Sequence, residues 1–146
     1  MADSLKAAKS KKKRTYLDTG VLFAAFRGEP SARIRALTIL SDPDRDFVAS
    51  DYLMLETSPK AIYHRNISEK EFYEQYFDST VEWAHASRKL MKLAYDEAIS
   101  FGLAALDALH IAAAKTCGAI EIITTEAPTK PIYRTQGISI VHLLSL

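Results

Sequence analysis

A single α/β domain built on a parallel sheet is the fold this sequence predicts, and three observations carry it. Short apolar runs alternate along the chain with stretches whose apolar residues recur at helical spacing. Strands separated by helices imply a parallel sheet of four to five strands covered by helices on both faces. At 146 residues and 48% apolar content the chain is long enough to enclose one core, and no repeat, linker or composition break marks a second domain.

The first 14 residues hold six bases, Lys6, Lys9, Lys11, Lys12, Lys13 and Arg14, against the single acid Asp3, a net +5. The remaining body carries −4, so the overall +1 hides a split. Such a leader attracts phosphate through counterion release and would serve as an RNA-holding arm; its plainer role is a flexible, solvated terminus ahead of a domain at 15–146.

Thr15 to Asp18 reads as a short buried strand, and Val21 to Phe26 begins a helix that Gly28 and Pro30 interrupt. A second helix opens at Pro30 and Ser31, places Ile34, Leu37 and Leu40 on one face, and stops near Asp42 and Pro43. Phe47-Val48-Ala49 is the next strand, after which Ser50 or Asp51 caps a helix carrying Glu56. Pro59 lacks an amide hydrogen and its ring meets the carbonyl four residues back, which predicts a kink or break around Thr57 and Ser58. Ser68-Glu69-Lys70-Glu71 has the spacing of a capping box and opens a long helix through Phe72 and Tyr76 toward Trp83, its aromatic stripe turned to the core. Leu90 to Leu93 reads as a strand of ambiguous type, and Asp96 to Phe101 as a helix ended by Gly102. Ala105 to Cys117 is the most strongly helical stretch by its alanine content, with Gly118 as its stop. Ile120 to Thr125 and Ile138 to Leu143 complete the strands.

Several function classes fall away on composition. The lone Cys117 cannot form an internal disulfide, which fits a reducing cytoplasm. No run approaches the ~18 apolar residues of a membrane span, and no apolar stretch follows the basic N-terminus as in a signal peptide. A P-loop needs Gly-x-x-x-x-Gly-Lys, which the chain lacks. Leu17-Asp18-Thr19-Gly20 resembles the active-site turn of the aspartic proteases, but those enzymes are almost entirely β and this chain has long helical runs and only 5 glycines.

Four acids stand out against that background. Asp18 ends the first strand, Glu56 and Asp107 lie within helices, and Glu126 follows the strand Ile120 to Thr125. In an open parallel sheet the ligand crevice forms beyond the carboxyl ends of the strands, which puts Asp18 and Glu126 on that edge. Gathered carboxylates repel, and a hard divalent cation resolves the conflict. For Asp18 alone the competing role is a helix N-cap; His110, three residues after Asp107, is a candidate to orient that carboxylate or touch phosphate, and its competing and favoured role is a packed, hydrogen-bonded histidine. Thr19, Thr124 and Thr125 are candidate donors to the acids, or to free backbone groups at the strand ends. Arg27, Lys60, Arg65, Lys130 and Arg134 are candidate phosphate contacts, none singled out from ordinary solvated bases.

Leu17-Asp18-Thr19, Leu55-Glu56, and above all Leu106-Asp107-Ala108-Leu109-His110-Ile111-Ala112-Ala113-Ala114 running through Gly118 into Ile122-Ile123-Thr124-Thr125-Glu126 resemble the PIN-domain nucleases, from about Thr15 to the C-terminus. The resemblance implies a three-layer PIN-like fold in which the helices carrying Glu56 and Asp107 flank the crevice. It implies that Asp18, Glu56, Asp107 and Glu126 hold Mg²⁺ or Mn²⁺ and that metal-activated water hydrolyses RNA. It further implies the toxin of a toxin-antitoxin pair, with a small antitoxin protein covering the acids and a homodimer as the assembly. Two positions depart from the family pattern: Gly20 stands where Ser or Asn is usual, and Glu126 where Asp is usual. They leave open a catalytically weakened PIN-like module that binds RNA or protein without cutting.

Overall fold

The structure is a computed structural model and describes residues 12–146. Five strands, β1 (Lys13–Leu17), β2 (Arg45–Ser50), β3 (Glu82–Ala84), β4 (Glu121–Thr124) and β5 (Ser139–His142), form one sheet in the order β3-β2-β1-β4-β5. Every pairing is parallel, with Tyr16 opposite Val48 on one side and Ile122 on the other. Six helices, α1 (Thr19–Arg27), α2 (Pro30–Leu40), α3 (Asp51–Tyr63), α4 (Ile67–Ser79), α5 (Arg88–Phe101) and α6 (Ala105–Thr116), cover the sheet to give the three-layer α/β architecture. Strand residues Tyr16, Leu17, Val48, Ile122 and Ile123 are wholly buried. The alanines of α6 are buried with them: Ala108, Ala112, Ala113 and Ala114 let this helix lie close against the sheet without large side chains to displace.

From β1 the chain winds to β2 and β3 on one side, then crosses to β4 and β5 on the other. The carboxyl ends of β1 and β4 therefore flank the point where the connections diverge, the place where such sheets bind ligands.

The expected strands around Thr15, Phe47, Ile120 and Ile138 are all present, as are the caps at Ser50, Gly102 and Gly118; Ser50 Oγ accepts from Leu53 N at 3.1 Å, and both glycines adopt the left-handed conformation. Five expectations need correction. Pro59 does not break α3, which continues to Tyr63. Leu53, Thr57 and Ala61 are buried at four-residue spacing on both sides of the proline, and the carbonyl it orphans belongs to Leu55, which is 70% exposed and can be hydrated. The box at Ser68 to Glu71 is not used either. Asn66 caps α4 two residues earlier, accepting from Glu69 N at 3.3 Å, while the Glu69 carboxylate receives Asn66 Nδ2 and the Tyr73 hydroxyl. That helix ends at Ser79, so Trp83 belongs to β3 rather than to the helix. Leu90 to Leu93 is helical: Ser87 caps α5 by accepting from Leu90 N at 3.0 Å, and Leu90 and Ala94 are buried four residues apart. Finally, β1 begins at Lys13, and Arg14 donates to Cys117 O at 2.8 Å, so both residues belong to the sheet rather than the leader. Residues 1–11 of that segment lie outside the described residues.

Candidate active site

Asp18 follows β1 directly. Its amide extends the ladder by donating to Ile123 O at 2.9 Å, which sets it beside β4. The N-cap role weighed for this residue is present: Oδ1 caps α1 by accepting from Thr19 N at 2.8 Å, and Oδ2 accepts from Thr124 Oγ1 at 2.9 Å. Glu126 sits in the turn after β4, where its amide donates to the same Thr124 hydroxyl at 3.0 Å and its carbonyl accepts from Tyr133 at 2.8 Å. Asp107 lies in the first turn of α6, and Glu56 in the middle of α3. The N-termini of α1 and α6 thus both present their positive dipole ends near an acid, which favours negative charge at those positions.

All four acids line one cleft of about 300 Å³, together with Thr19, Gly20, Phe23, Leu106, His110 and Thr125. Their fields overlap. Asp107 is held above the usual carboxylate range first by burial, then by the charges of Asp18 and Glu126, with a smaller push from Glu56 and an opposing pull from His110. Among the described residues Asp18, Asp107 and Glu126 form no salt bridge.

Glu56 behaves differently. Burial would raise it, but hydrogen bonding and charge from His110, with the Thr19 hydroxyl at 2.9 Å, outweigh that and hold it below the usual range. His110 is the packed, doubly bonded histidine expected, with Nε2 on Glu56 Oε1 and Nδ1 at 2.6 Å from the Tyr16 hydroxyl. Tyr16 in turn lies 2.7 Å from Ser50 Oγ, and burial pushes its phenol far above its ordinary pKa, so it stays a neutral donor. Tyr16 was not among the residues that stood out from sequence as part of the site. A signal was there: a phenol inside a buried strand requires a polar partner.

The donor chemistry suits a hard divalent cation, since three oxygen-donor acids in one cleft lack any cationic partner among the described residues. Among those residues, however, no three His, Cys, Asp or Glu side chains stand ready-arranged to hold an ion. The acids are near enough to perturb Asp107 without being gathered to coordination distance. None of Arg27, Lys60, Arg65, Lys130 and Arg134 lines the cleft. Arg27 instead pairs with Glu69 at 3.5 Å and lies over the Phe23 ring, and Arg134 reaches Phe101 O.

Gly20 has a local explanation. A Cβ there would lie 2.0 Å from Thr125 Oγ1, 3.2 Å from its Cβ and 3.4 Å from its Cγ2, so the Thr125 hydroxyl occupies the space where a side chain at position 20 would begin. Because Thr125 is exposed and its hydroxyl can turn away, Gly20→Ser should destabilise the fold by no more than about 1 kcal/mol, the cost of forcing that rotamer. Thr125→Ala should recover part of that loss in the double variant. Thermal unfolding of both singles and the double checks this, and additive effects would show that the two positions do not compete for the same space.

The family pattern of the PIN domain matches residues 15–127. The chain belongs to the PIN domain family. Among solved structures, this PIN protein resembles a chain of VapBC2 from Rickettsia felis bound to a DNA fragment from their promoter, with a TM-score of 0.67 at 13% identity over 88% of this chain and 98% of that one. A chain of a toxin-antitoxin complex from Klebsiella pneumoniae gives 0.62 at 17% identity over 88% and 97%. A chain of FitAcB from Neisseria gonorrhoeae gives 0.61 at 16% identity over 90% and 99%. At these identities the likeness establishes the PIN fold. No curated protein matches the chain by sequence. Among the described residues of this PIN domain no single helix is long and apolar enough to cross a membrane.

Proposed function

We propose that this PIN domain is a Mg²⁺- or Mn²⁺-dependent endoribonuclease and the toxin of a toxin-antitoxin pair. The observation that carries the reading is the single cleft at the switch point of the sheet, lined by Asp18, Glu56, Asp107 and Glu126, three of them without a cationic partner among the described residues. Asp18, Asp107 and Glu126 would hold the ion, with Glu56 presented beside them by His110 and Thr19. The ion supplies a water of lowered pKa and neutralises charge developing on the phosphate. Phe23 and Leu106 give the cleft an apolar border, against which the acids' fields are less screened than in open water. The similarity to chains of toxin-antitoxin complexes supports an antitoxin partner, and a homodimer is proposed with it. The non-cleaving alternative drew on Gly20 and Glu126. It is weakened because Thr125 fills the space beside Gly20 and Glu126 lines the cleft with the other acids.

The test is cleavage of a panel of structured and single-stranded RNAs by purified full-length protein with Mg²⁺ or Mn²⁺, and again with chelator. Chelator-sensitive cleavage leaving 5′-phosphate ends is the expected result. Absence of cleavage under every metal condition, or cleavage indifferent to chelator, would overturn the proposal.

A further inference from the structure

Among the described residues, Glu56 is the acid of the cleft whose carboxylate ends a line of several buried side chains, where Asp18 has the single Thr124 hydroxyl. Glu56 Oε1 accepts from Thr19 Oγ1 and meets His110 Nε2, while the far side of the same imidazole meets Tyr16, and Tyr16 meets Ser50. Ser50 is also the N-cap of α3, the helix that carries Glu56, so the line returns to the element it began on. Tyr16 and Ser50 are 0% exposed and His110 only 3%, which leaves water no ready access to replace any member. One assignment of hydrogens satisfies the whole line: Ser50 O–H donates to Tyr16, Tyr16 O–H to Nδ1, and Nε2–H to Glu56. In that arrangement every donor is directed toward the carboxylate. Among the described residues Oε2 has no hydrogen-bonding partner.

We propose that His110, oriented by Tyr16 and Ser50, is a positioning residue that fixes Glu56 through Oε1 so that Oε2 is presented to the ion. This rests on the metal-dependent reading of the cleft given above. A glutamate on a helix surface has three rotatable bonds, and an ion that captured it from free rotation would oppose that entropy. The relay removes the cost in advance, as groups behind metal ligands commonly do. A histidine that merely filled space in the core would satisfy its own nitrogens without tying them to a cleft acid.

The experiment uses full-length protein. Long-range ¹⁵N–¹H NMR of the imidazole should show a proton on Nε2, the nitrogen that faces Glu56. Mn²⁺ binding, followed by electron paramagnetic resonance, should weaken about tenfold in Tyr16→Phe, which keeps every carboxylate and the ring that packs the core. RNA cleavage by the same variant should lose kcat with little change in KM. A second pair guards against misfolding: His110→Gln, which keeps an N–H donor, should retain Mn²⁺ affinity better than His110→Ala. Mn²⁺ affinity unchanged in both Tyr16→Phe and His110→Ala, or an Nε2 without a proton, would overturn the proposal. Should the wild-type protein bind Mn²⁺ but cut no RNA, the nuclease reading fails while the NMR and Mn²⁺ arms still decide the relay.

Discussion

Asp18→Asn is expected to lower metal-dependent RNA cleavage by on the order of a thousandfold while leaving the fold intact. The size follows from losing one charged ligand of a group that contributes several kcal/mol, at about 1.36 kcal/mol per decade of rate. Retention of the fold follows from local geometry. Asparagine is as good an N-cap as aspartate, so Oδ1 can still accept from Thr19 N at the start of α1. The bond from Thr124 needs only a turn of its hydroxyl to accept from the new amide instead. Circular dichroism should thus match wild type, and thermal unfolding in chelator should match or exceed it, because the Asp18 charge is one of those that repel Asp107, while cleavage falls by that factor. Full-rate cleavage by nuclease-free Asp18→Asn protein would remove this residue from the working site.

Legibility of the site divides along the same line as its geometry. Asp18 and Glu126 follow strands, and strand ends are visible in apolar runs, so their place at the sheet edge came from pattern alone. Glu56 and Asp107 stand on helices, whose approach to the crevice is set by packing across the whole domain; only the family resemblance brought them there in advance. The partners of Tyr16 lie 34 and 94 residues away, beyond any local signal. Elsewhere tertiary packing overrode local rules. Burial of Leu53, Thr57 and Ala61 carried α3 through Pro59, where the local rule demanded a break. The run Leu90 to Leu93 is too short to declare a period, and the cap at Ser87 decided its state. The strand that was not anticipated, β3, spans three residues and is too brief to show alternation.

Asp107→Asn is expected to invert the stability order of wild type and variant between chelator and Mn²⁺. Burial and the charges of Asp18 and Glu126 raise the Asp107 carboxyl in the folded protein, so the folded state binds its proton more tightly than the unfolded chain does. That contribution favours folding fully below the unfolded value near ~3.9 and is lost as pH rises through the folded one. At pH 7 with chelator the wild type therefore carries an unrelieved repulsion that asparagine removes, and the variant should melt a few degrees higher. The advantage should shrink as pH falls through the raised value and vanish below the unfolded one. Mn²⁺ at about a hundredfold over its Kd would stabilise the wild type by about 2.7 kcal/mol. That corresponds to roughly 5–10 °C for a domain of this size. The variant, lacking one ligand charge, should forfeit most of that gain and melt below wild type. A thermal-unfolding series across pH 3–8, with chelator and with Mn²⁺, checks both halves; a variant that melts below wild type in chelator at pH 7 would show that Asp107 is stabilised by its surroundings rather than strained by the neighbouring acids.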